Sequence, residues 1–445
     1  MKAQFTLVAA LLVLAASPKV YGVPSFARQT GLACSSCHTT LPELTPLGRL
    51  FKLNGYTMTG IKEITSPGGQ EEAKLNLLEW LPLSGFFQVS EASTNSPQPG
   101  AQNGNIEFPQ AASLFLAGEM ASHAGAMIQF TYSGIDDHFG WDNTDIRYAN
   151  QGKFAGKDLA YGLTFNNNPT VEDLWNDTPA WGFPWVAPDS TPSPMAAALV
   201  DGGLAQDVGG LGAYAMWNDH FYGDVTGYRS AHLGVGGPNT GQGYAVNIQG
   251  IAPYWRFAYQ TTKGNNYLEV GTFGMHARST PNGVVGPEDD YTDTAADFQY
   301  ERTLPLAKRN DLISVHGVYI HESANLNGTL AQGGAAFAPH DLNTWRLDAT
   351  YHVGNRYAAT LGSFVTTGTT DPVLYAQSPV GGSASGDPRT DGLITQFAYW
   401  PVQNIELTAQ YRNYFNFNGR ATNYDGAGRK ASGNNALYLL VWFIF

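Results

Sequence analysis

Cysteine is almost absent from this chain of 445 residues: Cys34 and Cys37 are the only two. That scarcity excludes a disulfide framework. With no second Cys or His pair nearby to complete four ligands, it also argues against a structural zinc site. Charge is scarce too. Asp, Glu, Lys and Arg make up 14% of the residues, and the formal net charge is −13. A nucleic acid would meet repulsion rather than counterion release, so none is expected as a partner; an acidic exterior favours cations. Long apolar runs are also missing: past the first residues, no stretch is long enough for a transmembrane helix. The mean hydropathy of −0.22 would pass for a soluble protein. A barrel in a membrane reads the same way, because lipid-facing and lumen-facing residues alternate and average out. No nucleophilic triad, phosphate loop or paired-carboxylate signature is legible, so hydrolysis and group transfer find no support.

The beginning of the chain carries the chemistry. Residues 1–22 read as a signal peptide: Lys2 is the charged start, Phe5 to Ala16 is an apolar run of twelve residues, and Val20-Tyr21-Gly22 offers a cleavage site. The mature chain is expected to begin at Val23, with a net charge of −15 after Lys2 and Lys19 depart. Directly behind the leader stands Cys34-Ser35-Ser36-Cys37-His38. This is the C-x-x-C-H pattern of covalent c-type haem attachment. Two thiols at that spacing can add to the two vinyl groups of one haem, and the adjacent histidine then serves as the proximal iron ligand. The alternative is a plain disulfide or redox pair, but the strand and βαβ context of a thioredoxin-like site is lacking.

The rest of the chain alternates. Trp345, Leu347, Ala349 and Tyr351 fall on one face of a strand, with Arg346, Asp348, Thr350 and His352 on the other. Ile405, Leu407, Ala409 and Tyr411 stand likewise opposite Glu406, Thr408, Gln410 and Arg412. At the C-terminus, Leu437, Leu439, Val441, Phe443 and Phe445 share one face, as in the last strand of an outer-membrane barrel. The alternative there is the buried last strand of a soluble sandwich. Sixteen strands are expected, at about 83–94, 110–121, 124–134, 142–150, 157–166, 203–217, 219–230, 250–262, 265–277, 292–303, 311–323, 342–353, 356–368, 391–401, 404–416 and 434–445. Their connections alternate between short turns, such as Ser122-His123 and Gly354-Asn355, and long loops, such as 167–202 and 369–390. Short periplasmic turns and long outer loops are the barrel pattern, which puts both termini in the periplasm.

The expected fold is therefore an all-β, 16-stranded antiparallel transmembrane β-barrel, with a short N-terminal c-type haem segment plugging the lumen. The divisions are 1–22 signal peptide, 23–62 haem-binding segment, 63–82 linker and 83–445 outer-membrane barrel. The haem segment is too short to bury a core of its own, and a barrel of this size would otherwise hold an open channel.

Several N-terminal residues carry a resemblance. They are Pro24-Ser25-Phe26-Ala27-Arg28-Gln29-Thr30-Gly31, then Cys34 to His38, Pro42, Leu44, Pro46, Gly48-Arg49, Phe51-Lys52-Leu53 and Gly55-Tyr56-Thr57. Together they resemble the outer-membrane monohaem cytochrome–porin fusions of iron-oxidising bacteria and their relatives. Leu47 departs from the Phe expected before Gly-Arg, a conservative apolar change. The resemblance covers about forty residues, and beyond them it is architectural. It implies oxidation of an extracellular donor, Fe(II) in the best-known members. Electrons would pass through one covalent haem c to a periplasmic cytochrome or copper protein, as in an Fe(II):cytochrome c oxidoreductase.

Around that haem, Cys34 and Cys37 are expected to attach it and His38 to bind iron. Met58 is a candidate sixth ligand, and methionine ligation raises the reduction potential; His316 and His352 are rivals. Arg28, Arg49 and Lys52 could pair with the propionates, or form salt bridges to lumen carboxylates such as Glu301 or Asp348. Asp136-Asp137-His138 and Glu288-Asp289-Asp290 are candidate outer sites for iron. Two other readings stay open: a conduit for another donor or for outward electrons, and a solute porin whose plug is stapled by haem or a disulfide.

Overall fold

The computed structural model describes residues 25–40, 43–58, 63–65, 76–78, 81–98, 103–175, 187–188, 190–231, 247–307 and 309–445. The expected leader, the start at Val23, and Pro24 and Pro42 lie outside the described residues. Three short helices come first: α1 (Ser25–Thr30), α2 (Cys34–Cys37) and α3 (Pro46–Leu53). The expected linker holds a small antiparallel ladder, β1 (Glu63–Thr65) with β2 (Asn76–Leu78).

Sixteen strands then form one closed antiparallel barrel. They are β3 (Leu83–Thr94), β4 (Asn105–Ala121), β5 (Ala124–Ser133), β6 (His138–Phe154), β7 (Lys157–Asn166), β8 (Val208–Trp217), β9 (Phe221–Ser230), β10 (Ala252–Lys263), β11 (Asn266–Ser279), β12 (Asp289–Leu306), β13 (Arg309–Leu326), β14 (Pro339–Val353), β15 (Tyr357–Gly368), β16 (Thr390–Val402), β17 (Ile405–Asn416) and β18 (Ala436–Ile444). A short helix, α4 (Asn327–Ala331), follows β13. Each strand pairs with its sequence neighbours, and β18 pairs with β3 to close the wall, so no edge is left to template aggregation.

Period-two alternation is what shapes this wall. Arg346, Asp348, Thr350 and His352 face the lumen, while Trp345, Leu347 and Tyr351 stand exposed outside. Tyr438, Leu440 and Trp442 turn inward on the last strand, and Leu437 and Phe445 outward. Leu114, Leu163, Phe165, Leu211, Val225, Phe257 and Leu361 extend the exposed apolar face around the barrel. A continuous band of this kind fits a lipid environment, since a soluble monomer rarely leaves such an area bare. The connections alternate as expected. Ala155-Gly156, with φ of 52° and 75°, is a two-residue hairpin turn in the left-handed region.

Among the described residues, segments enter the lumen from both ends. The helical segment sits near the short-turn end, where the Cys34 amide meets Gln403 Oε1 at 3.3 Å and Asn355 Nδ2 meets Ser35 Oγ at 3.3 Å. From the other side, part of the connection between β7 and β8 folds inward instead of staying outside. Leu174 and Trp175 of that connection share a buried cluster with Leu53 of α3 and with Tyr214, Met216 and Tyr222 of the wall. Arg256 anchors the same connection by an ion pair to Asp173 at 3.2 Å, and also meets Asp297 at 2.6 Å.

A cavity between plug and wall

The C-x-x-C-H segment is one helical turn. The His38 amide donates to the Cys34 carbonyl at 2.9 Å. His38 Nδ1 lies 3.2 Å from the Glu43 carbonyl, a contact that selects the tautomer presenting Nε2 to a metal. Thr45 staples α2 to α3. As the N-cap of α3, its hydroxyl accepts from the Gly48 amide at 3.2 Å and donates to the Ser36 carbonyl at 2.6 Å, while its amide donates to the Cys37 carbonyl at 2.9 Å. Pro46 follows at the helix start, where no donor is missed. Gly48 is required for contact: a Cβ there would lie 2.3 Å from the Cys37 carbonyl oxygen.

Past α3 the chain turns at Gly55 (φ 67°) and Tyr56 (φ 58°). Gly125 of the wall lets this turn come close, since a Cβ on it would meet the Gly55 oxygen at 2.4 Å. Tyr56 then donates to Asp145 Oδ2 at 2.6 Å, and its ring stacks on Phe26 at 5.2 Å.

These contacts enclose a cavity of about 630 Å³. Cys34, Cys37, His38 and Met58 line it from the plug, together with Phe26, Leu47 and Phe51. Phe86, Phe115, Met127, Trp442 and Ile444 line it from the wall. A mainly apolar lining with a few convergent donors, at a volume within the usual range of about 300–1,000 Å³, has the character of small-molecule and cofactor pockets. The donor set fits a c-type haem: two thiols, one imidazole held at Nδ1 and a thioether open onto the same space. Burial raises both thiols above their ordinary pKa, and at Cys37 the neighbouring Cys34 raises it further. A redox C-x-x-C needs the reverse, an electropositive setting that lowers a thiol. Both cysteines are unbonded, so the disulfide alternative is not the arrangement found.

A second cavity of about 510 Å³ opens among the short turns. Cys34, His38, Tyr267, Glu301, His352 and Trp400 are among its lining residues. The two candidate sixth ligands are therefore separated, Met58 in the apolar cavity and His352 in the polar one. His316 is engaged elsewhere: Nε2 lies 3.1 Å from Glu43 Oε1, and Nδ1 lies 3.3 Å from Asp348 Oδ1. This carboxylate–imidazole–carboxylate chain ties the plug to β13 and β14. The His316 charge and hydrogen bond outweigh the cost of burial and hold the Glu43 carboxyl down at about 2.

That shift has a consequence for pH. A depressed folded value means Glu43 stabilises docking above its unfolded value and loses that contribution as pH falls toward 2. Plug protection should stay level from pH 7 to about 5 and decline below about 4, with a shallower acid decline in Glu43→Gln. Proteolysis of the plug at graded pH measures it, and identical acid profiles would reject the assignment.

The three cations proposed for the propionates each have protein partners. Arg28 Nη2 donates to the Leu83 carbonyl. Arg49 Nη1 pairs with Glu301 Oε1 at 2.7 Å, one of the salt bridges the sequence left open, and its guanidinium covers the Tyr267 ring at 4.4 Å. Neither arginine lines the apolar cavity. Lys52 does line it, but its Nζ donates to the carbonyls of Val171 at 2.5 Å and Asp173 at 2.7 Å. Deep burial pushes Lys52 down to about 8.

The acidic clusters are corrected as well. Asp289 is buried and caps α4 through the amides of Gly328 and Thr329 at 2.7 and 2.9 Å, while Glu288 meets Arg278 at 3.4 Å. Asp289 and Asp290 begin β12 and His138 begins β6, rather than lying in loops. Among the described residues, no group of three or more His, Cys, Asp or Glu side chains is arranged to hold a metal ion. Glu43 and Met127 escaped the sequence reading. Met127 shares lumen parity with Gln129 and could have been found on that signal.

No protein-family model matches the sequence, and no curated protein does. Solved structures with a similar fold include the outer membrane channel DcaP of Acinetobacter baumannii, at 11% identity, covering 82% of this chain and 96% of that one, with a TM-score of 0.47. An anion-selective porin from Comamonas acidovorans is 11% identical, covers 82% and 98%, and has a TM-score of 0.46. The outer membrane protein OmpT of Vibrio cholerae is 11% identical, covers 82% and 96%, and has a TM-score of 0.41. The barrel itself is established by its strand pairing.

Proposed function

We propose that the chain is an outer-membrane electron conduit, carrying electrons from an extracellular donor, Fe(II) foremost, to a soluble periplasmic carrier such as a cytochrome or copper protein. One observation carries this reading: both thiols of the C-x-x-C-H turn, its histidine and a methionine line one apolar cavity between plug and wall. A haem c held there would supply one-electron chemistry. Cys34 and Cys37 would attach it and His38 would bind its iron. Met58 is the preferred sixth ligand, because His316 is held between two carboxylates and His352 faces the other cavity. Phe26, Phe51, Phe86 and Trp442 exclude water, which favours the less charged, reduced state. The plug and the inward β7–β8 connection, both lying in the lumen, support a conduit over a wide solute pore. In this reading the short turns and both termini lie in the periplasm and the long loops outside, which the alternation of loop lengths supports.

The test is the visible spectrum of the purified, oxidised protein before and after anaerobic Fe(II). Rapid appearance of a reduced c-type spectrum is expected. A spectrum that dithionite changes and Fe(II) does not would discard iron as donor. Absence of haem would end the conduit reading. Cys34→Ala with Cys37→Ala should leave a folded barrel without covalent haem. Met58→Ala should abolish the sulfur-to-iron band of the oxidised protein and lower its midpoint potential; a retained band would transfer the ligand role to another residue, with Met127 next.

A further inference from the structure

The polar cavity among the short turns lies at an end of the barrel where, among the described residues, exposed basic side chains outnumber exposed acidic ones, on a protein that is acidic overall. Lys263, Arg302, Arg309 and Arg356 are all exposed, and each adjoins in sequence a residue that lines the cavity. Arg309 meets Asp311 at 2.8 Å, while Lys263, Arg302 and Arg356 have no carboxylate partner among the described residues. Among the described residues, the exposed acidic side chains Asp158 and Asp219 of this end do not line the cavity, whereas the buried Glu301 and Asp311 do. At the opposite end the exposed charges are mixed, with Asp136, Asp137 and Asp341 alongside Arg229, Arg278, Arg389, Arg420 and Lys430.

A projecting hairpin stands beside the rim. Pairing of β12 with β11 ends at Arg302, and pairing of β13 with β14 begins at Leu312, yet β12 and β13 stay paired out to Leu306 and Arg309. The tip therefore extends four residues past its pairing with β11 and three past its pairing with β14, about 10–13 Å at roughly 3.3 Å per residue. Pro305, Leu306 and Ala307 are exposed on it. An apolar point among unpaired cations, next to a concavity reaching Cys34 and His38, suits a small and transient complex.

We infer that this short-turn face is the docking surface for a soluble electron-carrier protein that presents an acidic face. The inference rests on the conduit reading for its purpose, but its electrostatics can be tested separately. The cavity brings the carrier to the side of the plug where Cys34 and His38 are reached, and the rim selects carriers by charge. The competing use of the cations is to hold lipid phosphates.

The probes are two forms of one protein, basic cytochrome c and cytochrome c made acidic by succinylation. The holo-protein sits in nanodiscs of phosphatidylcholine, with empty discs as the blank. At about 20 mM salt the acidic probe should bind about tenfold or more tightly than the basic one, with the preference vanishing near 0.5 M. The triple variant Lys263→Glu, Arg302→Glu, Arg356→Glu should reverse the preference. Equal binding of both probes, or a preference unchanged in the triple variant, would overturn the inference and leave the cations to lipid. A second arm separates the two readings. Dithionite-reduced protein should give one electron to the ferric probe, which becomes ferrous as the protein is oxidised, with no proton transferred. Acidic-probe binding that persists in Cys34→Ala with Cys37→Ala, with no electron passing in the holo-protein, would keep the docking face and reject the conduit. Equal electron transfer to both probes would do the opposite.

Discussion

Gly48→Val will loosen the plug by about tenfold to a hundredfold while leaving the barrel closed. The position is inside α3, where glycine ordinarily weakens a helix and so needs a reason to be present. The reason is contact: a Cβ would lie 2.3 Å from the Cys37 carbonyl oxygen and 3.1 Å from Leu44 Cδ2. The first neighbour is backbone and cannot rotate away. The helix must back off, which lengthens both hydrogen bonds by which Thr45 grips the C-x-x-C-H turn. Overpacking of this sort costs about 1–3 kcal/mol, and each 1.4 kcal/mol is about tenfold in the docked population. Amide exchange across α2 and α3 measures the loss directly and does not depend on haem. Gly209→Ala is the control, since nothing lies within 4 Å of the Cβ it would add. Equal protection in Gly48→Val and wild type would show that the two helices are not packed this way.

The barrel was legible because its signal repeats. Alternation at Trp345 to His352 names the lumen face residue by residue, and the same parity recurs on every strand. Where the pattern is broken by acids of low strand propensity, as at Asp289 and Asp290, the strand begins earlier than the sequence suggests. The C-x-x-C-H turn was legible because its chemistry needs fixed spacing. What joins plug to wall was less so. Glu43 and His316 are 273 positions apart, and no local pattern announces that one carboxylate will meet one imidazole across a lumen. Arg49 with Glu301 could be named as one option among several because Arg49 belongs to the plug and Glu301 falls on a lumen-facing position, but deciding for it took coordinates. The inward course of residues 167–175 left no periodic trace, since it is fixed by contacts with Lys52, Arg147 and Arg256 rather than by its own sequence.

Arg49→Ala should destabilise plug docking by about 3–5 kcal/mol. Both partners of the Arg49–Glu301 pair are nearly inaccessible, at 5% and 8% side-chain exposure. Removing the arginine leaves a buried carboxylate whose remaining neutral partner is Gln299 Nε2 at 2.8 Å, too little to replace a cation. It also removes the group covering the Tyr267 ring and the donor to the Leu44 carbonyl at 2.7 Å. The penalty therefore has two parts, an orphaned charge and lost contacts, and a second substitution separates them. Adding Glu301→Gln removes the orphaned charge but restores no contact, so the double variant should regain about half of the loss or more. Arg49→Met with Glu301→Gln, which also keeps the volume, should approach wild type, because a buried ion pair adds little over a well-packed neutral pair. The release midpoint of the plug in urea, followed by protease cleavage within α2 and α3, reports all four proteins on one scale. If Arg49→Ala and its double with Glu301→Gln lose the same amount, charge pairing is not what holds the plug, and the packing of Leu53 and Tyr56 against the wall must account for it.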